Sequence, residues 1–300
     1  MFRAAVLRFV VAGVASAALF AIHIAASPFQ ARERTLYVSV FDSSTHQPVT
    51  GLTAKDFVVR EDGVQREVLR VSPASGPMPV ALLIDNTQEA TNAVADIRRA
   101  VRTFLNTAEG LGPIALVTFA DRPTILVDYT TNQKNLQDAA QRIFATPASG
   151  ATLLDAVRDT ARGLQKRESD RAAIVVLATE GTEFSTLYHA DVLDALAASG
   201  ASLNAIVLVT PGASLMRDEA RNRATVLDRG PRESGGARFD VLASSAFDTA
   251  MRDVAGILKS QYRVVYAPPD SLIPPEKVEI STARPGVEAH GARARGDTKK

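Results

Sequence analysis

The chain has 300 residues, of which 46% are hydrophobic and 22% are charged, so it can bury a sizeable core in one large domain or two modest ones. A net charge of +1 and the lack of tryptophan argue against the basic stripe and the aromatic stacking surface of nucleic-acid-binding proteins. The absence of cysteine excludes disulfides, thiolate zinc sites and a cysteine nucleophile, and the four histidines have no ligand-like spacing.

Residues 1–27 have the pattern of a secretory signal peptide. Arg3 and Arg8 precede an apolar stretch from Phe9 to Ala26, and the small residues 25–27 offer a cleavage site. The alternative is an uncleaved membrane anchor, because about 18 apolar residues approach the length that spans a bilayer. Under either interpretation we expect the rest of the chain to be exported, to the periplasm or the outside of the cell.

Residues 35–75 are predicted to form an N-terminal β segment. Alternating β-forming residues predict strands at 35–41, 57–60 and 65–71, and turn-forming residues separate the strands. So few antiparallel strands do not bury enough apolar surface to fold alone. The segment therefore needs a partner elsewhere in the chain.

Residues 78–260 alternate between apolar strands and amphipathic helices. Strands are predicted at 80–84, 114–119, 124–127, 172–177, 203–209 and 235–241. Helices are predicted at 94–105, 136–144, 154–164, 187–198 and 247–258, and the polar stretch 211–232 is predicted as a loop with an irregular helix. This alternation predicts an α/β fold with a doubly wound, mostly parallel, Rossmann-like sheet that helices cover on both faces.

Residues 261–290 return to β character, with strands predicted at 261–266 and 276–282 and prolines between them. These strands are the natural partners of the N-terminal β segment. We therefore expect a small β module built from both chain ends, with the α/β domain inserted between them. Residues 291–300 are charged and rich in small residues, which predicts a disordered tail.

Oxygen-bearing side chains are predicted to meet at the carboxyl edge of the parallel sheet, where open α/β sheets bind ligands. Asp85 follows the first buried strand and begins a segment that contains Thr87 and Glu89. Glu180 follows the strand at 172–177, and Thr152 lies in a Gly-Ala-Thr loop before a helix. Three carboxylates and two hydroxyls would suit Mg²⁺ or Mn²⁺ and, less well, Ca²⁺.

The order of these segments resembles the von Willebrand factor type A domain with its metal-ion-dependent adhesion site. In that family the first strand ends in Asp-x-Ser-x-Ser, a separate loop supplies a threonine and a later strand supplies an aspartate. The resemblance implies that Asp85, Thr87 and Glu89 occupy the first motif, Thr152 is the loop threonine and Glu180 is the later acid. Residues 51–57, 61–63, 235–239 and 261–268 also resemble landmarks of the exported bacterial proteins called VWFA-related.

Two departures from the family pattern leave open whether the site binds a metal ion. Glu89 replaces a neutral serine, so its carboxylate could fill the metal position that the family keeps open for an acidic group of the partner. Glu180 replaces aspartate and adds a methylene to a site whose geometry tolerates little change. The site either binds Mg²⁺ or Mn²⁺ in a degenerate form or binds no metal, in which case Glu89 merely favours the start of a helix.

With the signal-like N-terminus, this resemblance favours an exported protein without enzymatic activity that binds another protein through the strand-end face, with or without a bridging cation, and we expect it to be a monomer. A structural or assembly role in the cell envelope, with a vestigial and metal-free site, is the alternative. A metal-dependent hydrolase is disfavoured because no histidine is predicted near the carboxylates. We expect no nucleic-acid partner and no membrane contact beyond the signal segment.

Overall fold

The computed structural model describes residues 33–167, 169–179, 181–209, 216–269 and 275–293, which belong to one compact unit. The predicted signal peptide, Glu180 and residues 294–300 of the predicted tail lie outside these described residues. Among the described residues, none of the helices has the length and apolar character needed to cross a bilayer. The predicted domain boundaries at 75, 78 and 260 stay predictions, because all of the described residues belong to the same compact unit.

The N-terminal β segment contains four strands. They are β1 (Arg34–Asp42), β2 (Phe57–Glu61), β3 (Val64–Arg66) and β4 (Val68–Pro73). The single strand expected at 65–71 is thus broken at Glu67, and its two parts join different sheets. The break lets the chain cross from one sheet to the other, which a continuous extended strand does not do.

A six-stranded sheet forms the centre of the α/β domain. Its strands are β5 (Val80–Ile84), β6 (Ile114–Thr118), β7 (Thr124–Thr130), β8 (Ala172–Ala178), β9 (Ala201–Leu208) and β10 (Arg238–Val241). Their order is β10-β9-β8-β5-β6-β7, and every neighbouring pair is parallel except β6 and β7. The predicted doubly wound, mostly parallel sheet is therefore confirmed.

Helices cover both faces of this sheet. They are α1 (Val94–Thr107), α2 (Gln133–Gln141), α3 (Leu153–Gln165), α4 (His189–Ser199), α5 (Asp218–Ser234) and α6 (Phe247–Lys259). Side chains alternate along β5, so Leu82 packs in the core under α1, α2 and α6, whereas Leu83 packs in the core under α3, α4 and α5. These strands are apolar at every position because both of their faces are buried.

Helix α5 corrects the expectation of a loop with an irregular helix at 211–232 from residue 218 onwards, and residues 211–215 lie outside the described residues. It is a regular helix of 17 residues whose buried positions recur at helical spacing: Arg223, Val226, Leu227, Gly230, Pro231 and Ser234. Only two of these six are large apolar residues, so the hydrophobic periodicity in the sequence is weak. The helix ends at Gly235, whose φ of 86° is the left-handed conformation that favours glycine at this position.

The last three strands complete a β module from both chain ends. They are β11 (Tyr262–Tyr266), β12 (Val278–Thr282) and β13 (Val287–Arg293). One sheet has the order β13-β1-β11-β4 and the other the order β12-β2-β3, and every pairing is antiparallel. Strand β13 runs through residues 291–293, so the predicted disordered tail is wrong at its first three positions, which gain backbone partners on β1.

A buried charge cluster joins the two sheets of the module. Glu61 on β2 is buried, and its Oε1 accepts hydrogen bonds from Arg34 Nη1 on β1 at 2.5 Å and from the Tyr266 hydroxyl on β11 at 2.8 Å. The Arg66 guanidinium lies 3.4 Å from its other oxygen. A carboxylate buried between sheets is stable only with such partners, so the cluster fixes how the sheets pack.

Candidate functional site

Asp85 lies at the topological switch point of the central sheet. The chain leaves β5 towards β6 on one side and later returns through β8 on the other, so the ends of β5 and β8 adjoin. Asp85 directly follows β5, is fully buried, and its backbone N–H donates to the Leu177 carbonyl of β8 at 2.9 Å. This is the position where ligands bind in doubly wound sheets.

The Asp85 carboxylate accepts four hydrogen bonds from two threonines. Oδ1 accepts from the backbone N–H of Thr87 at 2.9 Å and from its hydroxyl at 2.7 Å. Oδ2 accepts from the backbone N–H and the hydroxyl of Thr179, both at 2.8 Å. A carboxylate has about four acceptor positions, so all of them are used within the protein. The first effect of Asp85 is therefore to join the segment after β5 to the segment after β8.

Glu89 and Thr87 lie against the same β8 loop. A Cβ atom at position 181 would lie 3.1 Å from Thr87 Oγ1 and 3.2 Å from Glu89 Oε2, so the glycine allows a close approach of the two segments. Glu89 is exposed, whereas Thr87 is buried and donates its hydroxyl proton to Asp85. Of the two described carboxylates in the segment after β5, that of Glu89 is therefore exposed to solvent and that of Asp85 is buried.

Thr152 lies one strand away, beside the end of β6. Its hydroxyl donates to the Ala120 carbonyl at 2.8 Å, and its backbone N–H donates to the Phe119 carbonyl at 3.0 Å. The Ala120 N–H in turn donates to the side-chain oxygen of Asn86 at 2.9 Å, which ties this loop to the segment after Asp85. The structure therefore brings Asp85, Thr87 and Glu89 together with Thr152 beside them, while the fifth predicted residue, Glu180, lies outside the described residues.

Three residues of the site were missed by sequence reasoning. Thr179 binds Asp85, Glu183 is a buried carboxylate in the β8 loop, and Arg223 reaches the loop from α5. Thr179 could have been found from its place directly after a buried strand. Arg223 could have been found only by recognising that it shares a helix face with the apolar pair Val226 and Leu227.

Burial raises the pKa of the Glu183 carboxyl above its usual range, although the Arg223 guanidinium and hydrogen bonds from Ser185 and Leu154 act in the opposite direction. Its Oε1 accepts from the backbone N–H of Ser185 at 3.3 Å and of Leu154 at 3.5 Å, whereas the buried Oε2 has no hydrogen-bond donor. Arg223 Nε lies 4.0 Å from Oε2, a distance for charge attraction rather than a hydrogen bond.

Exposed aromatic rings flank this polar site. The Phe144 carbonyl accepts from the Asn86 side chain at 3.4 Å, and its ring lies 4.3 Å from the Arg98 guanidinium. The Phe184 ring covers Gly150, where a Cβ atom would lie 2.5 Å from it. Phe144 is 62% exposed and Phe184 51% exposed. Large apolar side chains around a polar centre are typical of surfaces that bind other proteins.

The described residues do not include a cluster of acidic, histidine or cysteine side chains of the kind that usually binds a metal ion. They contain no group of three or more Asp, Glu, His or Cys residues that could hold a metal ion. All four acceptor positions of Asp85 are satisfied by threonine donors. The positively charged Arg223 side chain also donates to the carbonyls of Thr179 and Gly181, on either side of position 180. A cation beside Asp85 would therefore find no free acceptor position on that carboxylate, whereas the nearby Glu89 carboxylate is exposed to solvent.

The sequence profile of the von Willebrand factor type A domain matches residues 80–182, about a third of the chain. The match runs from β5 to the loop after β8, so it includes Asp85, Thr152 and Thr179. The chain contains a von Willebrand factor type A domain. This domain belongs to a family of protein-interaction modules, many of which bind Mg²⁺ or Mn²⁺ at the strand-end site.

The chain is also similar to several solved structures, one of which is a von Willebrand factor type A protein. A von Willebrand factor type A protein from Catenulispora acidiphila is 10% identical, with a TM-score of 0.49 over 89% of this chain and 74% of that one. An aerotolerance-related membrane protein from Bacteroides fragilis is 16% identical, with a TM-score of 0.45 over 59% of this chain and 98% of that one. The conserved hypothetical protein BatB from Bacteroides thetaiotaomicron is 13% identical, with a TM-score of 0.43 over 61% of this chain and 100% of that one. No curated protein matches the chain.

Proposed function

We propose that this chain is an exported protein-binding module that engages another protein through the strand-end face of its von Willebrand factor type A domain. The metal-ion-dependent adhesion site of the family is degenerate in it, and the chain acts as a monomer without catalytic activity. The observation that carries the proposal is the exposure of Phe144 and Phe184 beside the segments that hold Asp85 and Thr152.

The two rings have the properties of binding anchors. Aromatic side chains give a large contact area at a low entropic cost, and residues of this kind carry most of the energy of protein interfaces. Both rings are held from one side, Phe144 by the Arg98 guanidinium and Phe184 by the backbone at Gly150. Because they are held in place before binding, a partner loses little free energy in ordering them. The partner should therefore present apolar side chains to this face.

The export part of the proposal rests on the signal-like pattern of residues 1–27. The whole sequence also lacks cysteine, so the protein has no thiols that a reducing compartment would have to protect from oxidation. N-terminal sequencing of the protein recovered from a cell-envelope fraction would test it. A start at residue 28 supports cleavage. An intact N-terminus in the membrane fraction supports the anchor, and recovery from the cytoplasm would contradict export.

The binding part is tested by affinity capture from a cell-envelope extract with the wild type, Phe184→Ala and Val64→Ala, each with and without EDTA. Val64 is a matched control because it is 55% exposed and lies on β3 of the β module. We expect Phe184→Ala to reduce the captured partner at least about tenfold, the effect of a typical anchor residue, and Val64→Ala to leave it unchanged.

The same experiment separates this proposal from an envelope assembly protein that binds through its β module. Loss of the captured partner with Val64→Ala but not with Phe184→Ala would contradict binding at the strand-end face. A partner that is retained in EDTA supports a degenerate metal site, whereas complete loss in EDTA would show that the strand-end site uses a bridging cation.

A further inference from the structure

Helix α5 sends one charged side chain into the strand-end site. Arg223 occupies the buried face of α5, between the exposed residues of the helix and the loop that follows β8. A guanidinium loses most of its hydration when it is buried, so it is found there only with compensating acceptors.

The acceptors come from the loop after β8. Arg223 Nη1 donates to the Gly181 carbonyl at 2.7 Å, and Nη2 donates to the Thr179 carbonyl. Thr179 is the residue whose N–H and hydroxyl bind Asp85. One peptide segment thus accepts from Arg223 on one side and donates to Asp85 on the other.

The third acceptor group connects Arg223 to helix α3. The fully buried Glu183 carboxylate lies 4.0 Å from Arg223 Nε and accepts from the N–H of Leu154, two residues after Thr152. Ser185 also connects the loop after β8 to α3, because its N–H donates to Glu183 and its hydroxyl accepts from the Asp155 N–H. Arg223 therefore binds the loop after β8 directly, and it is linked through one residue, Thr179 or Glu183, to the segments that carry Asp85 and Thr152.

We propose that Arg223 is a positioning residue that organises the loop after β8 with a positive charge from within the protein, so that the strand-end site does not need a metal ion to hold this loop. The two carbonyls and the carboxylate that face its guanidinium are hard oxygen ligands of the kind that Mg²⁺ and Mn²⁺ prefer. Arg223, whose side chain is always charged, donates hydrogen bonds to the two carbonyls and balances the charge of the carboxylate. The loop is consequently organised without a cation, and the site is metal-independent. The inference concerns the same face as the proposed function but needs no partner for its test.

The test compares the melting temperatures of the full chain, by circular dichroism, in EDTA and in about 1 mM Mn²⁺, a concentration chosen to reveal a weak site. The variants are Arg223→Met, Arg223→Lys, the double variant Arg223→Met/Glu183→Gln and the control Arg229→Met. Arg229 lies on the same helix, where it forms an exposed ion pair with Glu233.

We expect the wild type and Arg229→Met to melt at the same temperature, within about 1 °C, in EDTA and in Mn²⁺. Arg223→Met should melt roughly 5–10 °C lower in EDTA, because it leaves the buried Glu183 charge without its positively charged neighbour and two carbonyls without the Arg223 donors. Mn²⁺ should restore several degrees, since the vacated oxygens can then hold a cation. A purely structural arginine would not create such a response to metal. Arg223→Lys should retain most of the stability and show no response to Mn²⁺.

Three results would overturn the proposal. One is a wild type that gains several degrees in Mn²⁺, because its site would then use a metal. Another is an Arg223→Met variant as stable as Arg229→Met. The third is an Arg223→Met variant that is destabilised but indifferent to Mn²⁺. If Arg223→Met does not fold, the double variant decides in its place: it should fold, because the unpaired buried charge is removed, and a failure to fold would count against the charge argument.

Discussion

Replacing Asp85 with asparagine isolates the hydrogen bonds that hold the strand ends together. The variant keeps the size of the side chain but turns one acceptor oxygen into a donor amide. That amide must face either the Thr87 N–H or the Thr179 N–H, and neither backbone donor can turn away. The hydroxyl on the same side can rotate and accept from the amide, so one buried N–H is left without an acceptor.

The magnitude follows from these bonds. A buried N–H without an acceptor costs about 1–3 kcal/mol, and the two bonds that remain lose the contribution of a charged acceptor, about 1 kcal/mol together. We therefore expect Asp85→Asn to lower the free energy of unfolding by about 3 kcal/mol, with a fall in melting temperature of roughly 6–12 °C. Urea denaturation followed by circular dichroism, at neutral pH and in EDTA, measures the effect.

The same substitution at Asp121 is the matched control. Asp121 is exposed and accepts one long bond, from the Gly150 N–H at 3.3 Å, so Asp121→Asn should change the free energy of unfolding by less than about 0.5 kcal/mol. An Asp85→Asn variant as stable as this control would refute the hydrogen-bond argument. A loss of stability that appears with Mg²⁺ but disappears in EDTA would show that Asp85 acts through a metal.

Two further predictions test other parts of the fold. Gly236→Ala should lower the free energy of unfolding by about 3 kcal/mol or more, because the added Cβ would lie 1.9 Å from the Leu203 carbonyl oxygen. The control is Gly163→Ala on α3, where the space around the glycine is open. This change should be neutral or should stabilise the protein by about 0.5–1 kcal/mol. Equal effects in urea denaturation would show that the loop before β10 can shift. Glu183→Gln tests the buried carboxyl: since its pKa is raised in the native state above the usual 4.5, the wild type loses stability relative to this variant as pH rises through and beyond that usual value. Denaturation at several pH values measures this difference, and a difference that is independent of pH would contradict the raised pKa.

Much of the fold could be predicted because its signals are local. Runs such as Val80–Ile84 and Ala172–Ala178 are apolar at every position, which only a strand covered on both faces requires, and amphipathic helices lie between them. The same local signals placed Asp85 at a strand end and therefore next to the end of another parallel strand. The pairing of β1 with β11 could be predicted because the strands at each chain end bury too little apolar surface to fold alone and therefore require each other as partners.

The sequence could not determine which hydrogen-bond donors pair with which acceptors. Asp85 follows the first buried strand in the sequence itself, but the partners of its four acceptor positions depend on the register of β5 against β8, which brings Thr179 within 2.8 Å. Arg223 lies more than forty residues from that loop in a helix with only two large apolar residues, so no local pattern connects them. Sequence periodicity specifies which face of an element is buried, because burial is a property of one residue and its neighbours. The meeting of a charge with its acceptors depends on the packing of whole elements, and the tertiary structure alone decides it.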